Sequence, residues 1–74
     1  MTTLQMRHEM LRHVAGLFSD NLNDGVDSIF QWVRMCHAFA DGFDLTDAEK
    51  VYFLAECGMD IVIGTEWRNE YDLD

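Results

Sequence analysis

The chain has 74 residues, a formal net charge of −9 and 49% apolar residues. A chain of this length forms one small domain over residues 1–74, and its apolar content is too high for a disordered acidic tail. The acidic charge repels phosphate backbones, so direct nucleic-acid binding is disfavoured, and a basic surface on another protein is the expected electrostatic partner.

The distribution of charge and the small number of cysteines further restrict the possible classes of protein. From Asp20 onward there are thirteen acids and three Lys or Arg residues, whereas residues 1–19 contain two Arg and one Glu. An amino terminus without an apolar leader favours a cytoplasmic protein, in the host cytoplasm if the chain is phage-encoded. No apolar run approaches the roughly 20 residues that a membrane span needs. Cys36 and Cys57 are interpreted as small buried hydrophobes in a reduced protein, with a disulfide as the alternative.

The first predicted helix spans residues 3–19 and is amphipathic. Its apolar side chains fall on one side of a helical wheel. They are Leu4, Met6, Met10, Leu11, Val14, Leu17 and Phe18. Arg7 projects from the middle of this arc, and we interpret it as a side chain whose stem packs on the core while its guanidinium reaches solvent. The alternative is a charge paired across an interface with a carboxylate.

Residues 19–30, SDNLNDGVDSIF, have the acids, amides and glycine of a calcium loop. Setting Gly25 at loop position six puts Leu22 at position three and Gln31 at position twelve. Leu22 offers no ligand, and Gln31 lacks the bidentate carboxylate. The segment is therefore predicted to be a turn, in which Asp24 or the residue before it caps the next helix.

The second predicted helix, residues 25–40, is more hydrophobic and is interpreted as the central helix. Apolar residues cover more than half of its wheel, which is typical of a helix that packs against more than one neighbour. In an alternative interpretation, Trp32, Met35 and Phe39 form an exposed hydrophobic patch that a partner covers.

The third predicted helix spans residues 46–70 and begins with a capping box. Thr46 can accept a hydrogen bond from the amide of Glu49, and the Glu49 side chain can accept one from the amide of Thr46. Gly58 and Gly64 interrupt the helical pattern, so the helix is either continuous, or kinked or split near Gly58 into a fourth helix. The β-branched stretch 59–63 leaves a short strand as an alternative.

One side of the third predicted helix combines acids with aromatic residues, and we call it the predicted partner-binding strip. Its members are Glu49, Phe53, Glu56, Asp60 and Trp67. In one interpretation this face is solvated, and Phe53 and Trp67 tuck against the first helix. In the other, the carboxylates steer toward a basic partner and an exposed aromatic side chain anchors it, as in binding hot spots.

Motifs for catalysis, metal binding and cofactors are missing from the sequence. His8 and His13 are five residues apart, a spacing that does not place two ligands on one face of a helix. For His37, at the edge of an apolar arc, a hydrogen-bonded core histidine is favoured over a ligand. There is no glycine-rich phosphate loop, nucleophile elbow or paired-cysteine motif. We therefore predict no enzyme activity, no catalytic residue, no bound metal and no cofactor.

These patterns predict an all-α protein, a compact bundle of three helices, that acts as a non-catalytic protein-binding module. The expected role is an acidic inhibitor or adaptor that occludes a basic or nucleic-acid-binding surface of another protein. In size, acidity and lack of enzymatic motifs, the chain resembles the small acidic proteins that phages and mobile elements use against host machinery, including anti-CRISPR proteins. One alternative is a structural or regulatory homodimer without another partner. A second alternative is a helix-turn-helix DNA-binding regulator that uses Arg7, His8, Arg12 and His13.

Overall fold

The computed structural model describes residues 2–71 and confirms the predicted all-α bundle. The α-helices, in chain order, are α1 (Thr3–Asn23), α2 (Ile29–Gly42), α3 (Asp47–Cys57) and α4 (Met59–Ile63), and the 3₁₀ helix Glu66–Tyr71 follows. The described residues include no β-strand, and the alternative of a strand over 59–63 is wrong because that stretch is α4. None of the helices in the described part of the chain is long and apolar enough to cross a membrane.

Helix α1 is longer at its carboxyl end than the predicted helix over 3–19. It continues to Asn23, and Leu22 adds one more turn to the inward-facing stripe that includes Leu11 and Ala15. These side chains are three or four residues apart, or multiples of that spacing, so they lie on one face of the helix. The apolar contact of Leu22 outweighs the low helix propensity of its polar neighbours.

Helix α2 begins at Ile29, later than predicted, because Ser28 caps it. The Ser28 hydroxyl accepts a hydrogen bond from the Gln31 amide at 3.3 Å. The prediction that Asp24 or Asn23 caps this helix is wrong. Asn23 is the last residue of α1 and Asp24 follows it as the carboxyl-terminal cap, so neither is close enough in sequence to cap a helix that starts at Ile29.

Helix α3 has the predicted capping box and ends at a glycine. The Thr46 hydroxyl accepts from the Glu49 amide at 3.2 Å, and the Glu49 carboxylate accepts from the Thr46 amide at 3.0 Å. Gly58 has a φ of 108°, a left-handed conformation that glycine adopts without steric cost, and α4 starts directly after it. Of the alternatives that the sequence left open, the split near Gly58 into a fourth helix is therefore the correct one, and Gly64 ends α4.

The core lies around α3, which packs against α1, α2, α4 and the 3₁₀ helix. Phe53 and Leu54 of α3 are fully buried. The Phe53 ring stacks on Phe39 of α2 and meets Phe18 of α1 edge to face. The expectation that α2 is the central helix is wrong, because part of its wide apolar arc lies at the surface of the protein.

The buried face of α2 consists of residues spaced by four. Trp32, Cys36 and Ala40 are buried, and the Trp32 indole N–H donates to the carbonyl oxygen of Phe18 at 3.0 Å, which ties α2 to α1. The predicted exposed patch is therefore only partly correct, because Met35 is exposed whereas Trp32 is buried and Phe39 is half-buried.

The two cysteines lie in the core on neighbouring helices. Cys36 of α2 and Cys57 of α3 are both buried and free. Their burial confirms the interpretation as small core side chains. His37, next to Cys36, is half-buried at the edge of this core.

Candidate protein-binding surface

The predicted partner-binding strip is not one exposed surface, because both of its aromatic residues are buried. Phe53 has 0% of its surface exposed and Trp67 has 7%. Phe53 is enclosed by the rings of Phe18 and Phe39, and the Trp67 indole N–H donates to Asp60 at 2.8 Å. The exposure expected of Phe53 and Trp67 in the docking interpretation is therefore wrong, and neither ring is available to anchor a partner.

The carboxylate of Glu49 is bound within the chain. Arg7 of α1 donates to both of its oxygens, from Nε at 2.9 Å and from Nη2 at 2.8 Å. These hydrogen bonds, together with the one from the Thr46 amide, lower the pKa of Glu49 from 4.5 to about 2. Arg7 is partly open to solvent, as interpreted from the sequence, and it also pairs with a carboxylate, as in the alternative, although that carboxylate belongs to the same chain.

The two remaining acids of the strip differ in their contacts. Asp60 accepts hydrogen bonds from the Arg68 guanidinium and from the Trp67 indole, and these lower the pKa of Asp60. Glu56 is exposed and makes no ion pair within residues 2–71. Partner binding through this strip stays a prediction, and within it Glu56 is the carboxylate most accessible to a basic partner.

Large exposed apolar side chains mark other candidate surfaces, because clusters of such side chains are typical of protein–protein contacts. Met6, Met10 and Leu17 are exposed along one side of α1. On α2, Phe30 is 83% exposed and Met35 is 51% exposed. At about 100° per residue these two side chains are about 140° apart, so they lie at opposite edges of the outward-facing side of α2.

Two adjoining clefts lie at the start of α2: the first lies between α1 and α2, and the second is an open depression on the outer side of α2 alone. Their volumes are about 310 Å³ and about 530 Å³, and Met35 lines both of them. Asp24, Asp27 and Trp32 line the first cleft, and Phe30 and Arg34 line the second. We call the surface formed by these six residues the α1–α2 corner.

The electrostatic potential at the α1–α2 corner is dominated by acids. Asp20 and Asp24 lie at the carboxyl end of α1, where unpaired carbonyl groups already give the helix a partial negative charge. The last turn of α1 contains no basic residue. Asp27 adds a third carboxylate, and Arg34 is the one basic residue that lines the two clefts. An incoming cation is therefore attracted to the edge of an exposed apolar surface.

A wider hollow lies beside the amino-terminal part of α1. Its volume is about 630 Å³, but its lining consists of Leu4, Gln5, His8 and Glu9, which all belong to the first turns of one helix. The His8 ring stacks on Tyr52 of α3 with their centroids 4.1 Å apart, so its near face is already covered. A hollow with walls from a single helix encloses no ligand.

The part of the chain that the structure describes, residues 2–71, contains no group of three or more His, Cys, Asp or Glu side chains that could hold a metal ion. Residues 19–23 of the segment considered as a calcium loop belong to α1. The loop between the two helices is thus only five residues long, from 24 to 28, shorter than the twelve or so of a calcium-binding loop.

Sequence reasoning missed Phe30, the most exposed aromatic side chain of the described residues. A helix over 25–40 placed Phe30 within a broad apolar arc and predicted no difference between it and Trp32. The pattern Ser28-x-x-Gln31 marks the helix start at Ile29. It does not reveal that Phe30 is exposed, because that depends on which side of α2 a neighbouring helix covers.

Comparison of the chain with protein-family models, with curated protein sequences and with solved structures returned no match.

Proposed function

We propose that this protein is a non-catalytic binding module, an inhibitor or adaptor that covers a basic surface of another protein. The observation that supports this most is the exposure of Phe30 and Met35 beside Asp24 and Asp27, on a chain with a net charge of −9. Binding would block the partner's surface sterically, and long-range attraction would accelerate the encounter.

Charge supports a basic partner. The thirteen acids and three Lys or Arg residues from Asp20 onward repel phosphate groups of nucleic acids and anionic lipid surfaces alike. They attract Lys- and Arg-rich protein surfaces, including those that themselves bind nucleic acid. A partner of that kind would lose access to nucleic acid while this chain is bound.

The exposed apolar side chains support binding to another protein. Transferring a fully exposed Phe side chain out of water stabilises a complex by about 1.5–3 kcal/mol. Phe30 makes little use of this energy within the chain, because 83% of its surface is in contact with solvent. Interfaces commonly combine such a central apolar contact with a polar rim, and the acids at the α1–α2 corner have the position of that rim.

Affinity capture at two salt concentrations tests the proposed function. The full chain is immobilised, incubated with a cell lysate at about 50 mM and about 500 mM salt, and the retained proteins are identified by mass spectrometry. We expect a basic protein that is retained at low salt, and more weakly at high salt. The proposal would be contradicted if the chain retained no protein, or only proteins whose binding does not depend on the salt concentration. An anti-host role of the phage or anti-CRISPR type stays a prediction that the identity of the captured protein would decide.

The homodimer is a second candidate, because Met6, Met10 and Leu17 form an exposed apolar line along α1. Residues 1–19, with two Arg and one Glu, lack the acidity of the rest of the chain, so two copies would repel each other less along α1 than at their acidic surfaces. A tight dimer that binds no other protein would favour this alternative.

The DNA-binding alternative is less favoured by the contacts of α1. Of the four residues it relies on, Arg7 is bound to Glu49 and His8 is stacked on Tyr52. Two residues, Arg12 and His13, provide a weak electrostatic footprint for a phosphate backbone. A mobility-shift assay that detects DNA binding at low salt would favour the DNA-binding alternative over the protein-binding module.

A further inference from the structure

We infer that the α1–α2 corner is the docking surface and that its occupant is a cationic amphipathic segment of another protein. Apolar side chains of the segment pack on Phe30 and, in the first cleft, on Met35, and a Lys or Arg beside them pairs with Asp24 or Asp27. The inference rests on the proposed function and adds to it the place of binding and the chemistry of the bound segment.

The shape of the corner suits a segment of protein chain. The first cleft, of about 310 Å³, has walls from α1 and α2 and can take an inserted side chain, whereas the second, of about 530 Å³ on α2 alone, is an open surface. Met35 lines both, so an occupant that inserts into the first can continue over the second. The exposed side chains of Phe30 and Met35 provide an aromatic surface and a flexible thioether that adapts to the shape of an inserted side chain. Helical ligands commonly insert a few apolar side chains into such grooves.

Charge at the corner selects a cationic occupant. Asp24 and Asp27 line the first cleft, and Asp20 and the carbonyl end of α1 add negative potential beside it. Within residues 2–71, none of these three carboxylates makes an ion pair. Arg34 opposes this charge from the second cleft, so the cations of the occupant are expected above the first cleft.

The same charges argue against other occupants. A nucleic acid or an anionic lipid surface would bring its phosphates toward the acids at α1's carboxyl end. A second copy of this chain would bring a net charge of −9 toward them. A cationic protein segment is the class that gains from both the apolar surface and the carboxylates.

Methionine methyl NMR locates binding on the folded chain. The probe is a synthetic amphipathic helical peptide of Leu, Lys and one Trp, about 18 residues or five turns long, and the control peptide has Glu in place of every Lys. On addition of the Lys peptide to the full chain, the methyl resonance of Met35 is expected to shift. Met59, which is fully buried, reports on any general change of the fold, and Met6 and Met10 report on the outer side of α1.

A pair of matched variants tests the apolar contact. Phe30→Ser is expected to weaken binding of the Lys peptide by at least about tenfold, the loss typical of a central apolar contact. Ile61→Ser removes a side chain that is similarly exposed, at 89%, but lies on α4, and it is expected to leave the affinity unchanged. Circular dichroism of both variants confirms folding, because neither side chain contributes to the core.

A second set of variants tests the charges. The double variant Asp24→Asn and Asp27→Asn is expected to weaken binding and to reduce its salt dependence, whereas Arg34→Gln is expected to tighten it. The Glu peptide is expected to bind more weakly than the Lys peptide by at least about tenfold.

The outcomes separate this inference from the proposed function. Shifts at Met6 and Met10 without one at Met35, no Met35 response to the Lys peptide, or equal loss of affinity in Phe30→Ser and Ile61→Ser would each overturn the inference. The proposed function would survive these results if a basic protein is still captured in a salt-dependent way. Failure of that capture overturns the proposed function itself.

Discussion

The carboxylate of Glu49 caps the amino-terminal end of α3 and also binds Arg7 of α1. Its Oε1 atom accepts from the Thr46 amide and from Arg7 Nη2, and its Oε2 atom accepts from Arg7 Nε. The Arg7 pair requires the ionised form and the cap hydrogen bond is strengthened by it, so both lower the pKa of Glu49, to about 2. A residue predicted to bind a partner therefore stabilises the contact between α1 and α3.

Acid should remove this stabilisation within a defined pH window. Because folding lowers the pKa of Glu49 from 4.5 to about 2, its contribution to the free energy of unfolding is complete above pH 4.5 and is lost as the pH falls toward about 2. In Glu49→Gln the side chain can still accept from the Thr46 amide, as glutamine does in capping boxes, but it has no charge to lose. We expect urea unfolding of this variant to depend less on pH across that window.

Glu56→Gln is the matched control for this measurement. It removes one carboxylate from an exposed position of the same helix, where no ion pair is lost. The acid dependence of Glu56→Gln should exceed that of Glu49→Gln. If Glu49→Gln kept the acid dependence of the unsubstituted protein, the stabilising role of the Arg7 pair would be wrong.

Phe53 is expected to contribute to the stability of the fold and not to partner binding. Its ring has no exposed surface and contacts both Phe18 and Phe39. Phe53→Ala is expected to lower the free energy of unfolding by about 3–5 kcal/mol, because it removes buried surface and leaves a cavity. Glu56→Ala on the exposed side should change it by less than about 0.5 kcal/mol. Chemical denaturation measures both, and a small loss in Phe53→Ala would contradict the described core.

The two thiols should be unreactive while the protein is folded. Cys36 and Cys57 are fully buried, and both the contact with Cys36 and burial raise the pKa of the Cys57 thiol. Because neither sulfur atom is accessible in the folded chain, an aromatic disulfide reagent should label it slowly and label two thiols rapidly in denaturant. Rapid labelling under native conditions would show that the core around α2 and α3 opens.

At the scale of elements, the break between α3 and α4 depends on Gly58. The sequence left open whether the helix over 46–70 is continuous, because glycine tolerates both a helical and a left-handed conformation. Met59 is fully buried directly after the break, and α4 and the 3₁₀ helix pack back beside α3. These contacts, which a straight helix could not make, favour the left-handed conformation.

Two alanine substitutions for glycine should have opposite effects. Gly58→Ala places a side chain at a φ of 108°, and we expect a loss of about 1–2 kcal/mol from backbone strain. Sterics should add little, since the new Cβ would meet a Leu22 methyl group at an ordinary 3.8 Å. Gly16→Ala, in the middle of α1 with no other element of the chain within 4 Å of the new Cβ, should gain up to about 1 kcal/mol.

Thermal unfolding of both variants compares them directly. Equal stability of Gly58→Ala and the unsubstituted chain would mean that α3 continues through this position. A loss of stability in Gly16→Ala would mean that the exposed side of α1 is covered.

For the whole molecule, charge and exposed apolar surface act against each other. A net charge of −9 keeps copies apart, whereas apolar side chains on the outer sides of α1 and α2 favour association. The balance depends on ionic strength, because salt shortens the range of repulsion and leaves apolar attraction in place.

Sedimentation at several salt concentrations tests this balance. We expect a monomer at low salt and a growing fraction of dimer as salt increases. Leu17→Gln would reduce that fraction if copies pair along α1, and Phe30→Ser would reduce it if they pair through the α1–α2 corner. A mass that is independent of salt in the unsubstituted chain would contradict the prediction.

The sequence alone was sufficient for the helical class, the acidic surface and the cap at Thr46, because these depend on composition and on residues three or four positions apart. It was not sufficient for the exposure of single side chains. Phe53 is buried and Phe30 is exposed although both lie in apolar helical patterns, because exposure depends on which neighbouring helix covers each face.

For the same reason, only the tertiary structure could determine which charged residues pair with each other. Arg7 and Glu49 are 42 residues apart, and only the packing of α1 on α3 brings them together. In the folded chain, Phe53 and Glu49 of the predicted partner-binding strip therefore stabilise the bundle. Folding left the α1–α2 corner, with Phe30 and Met35, as an accessible apolar surface beside acids.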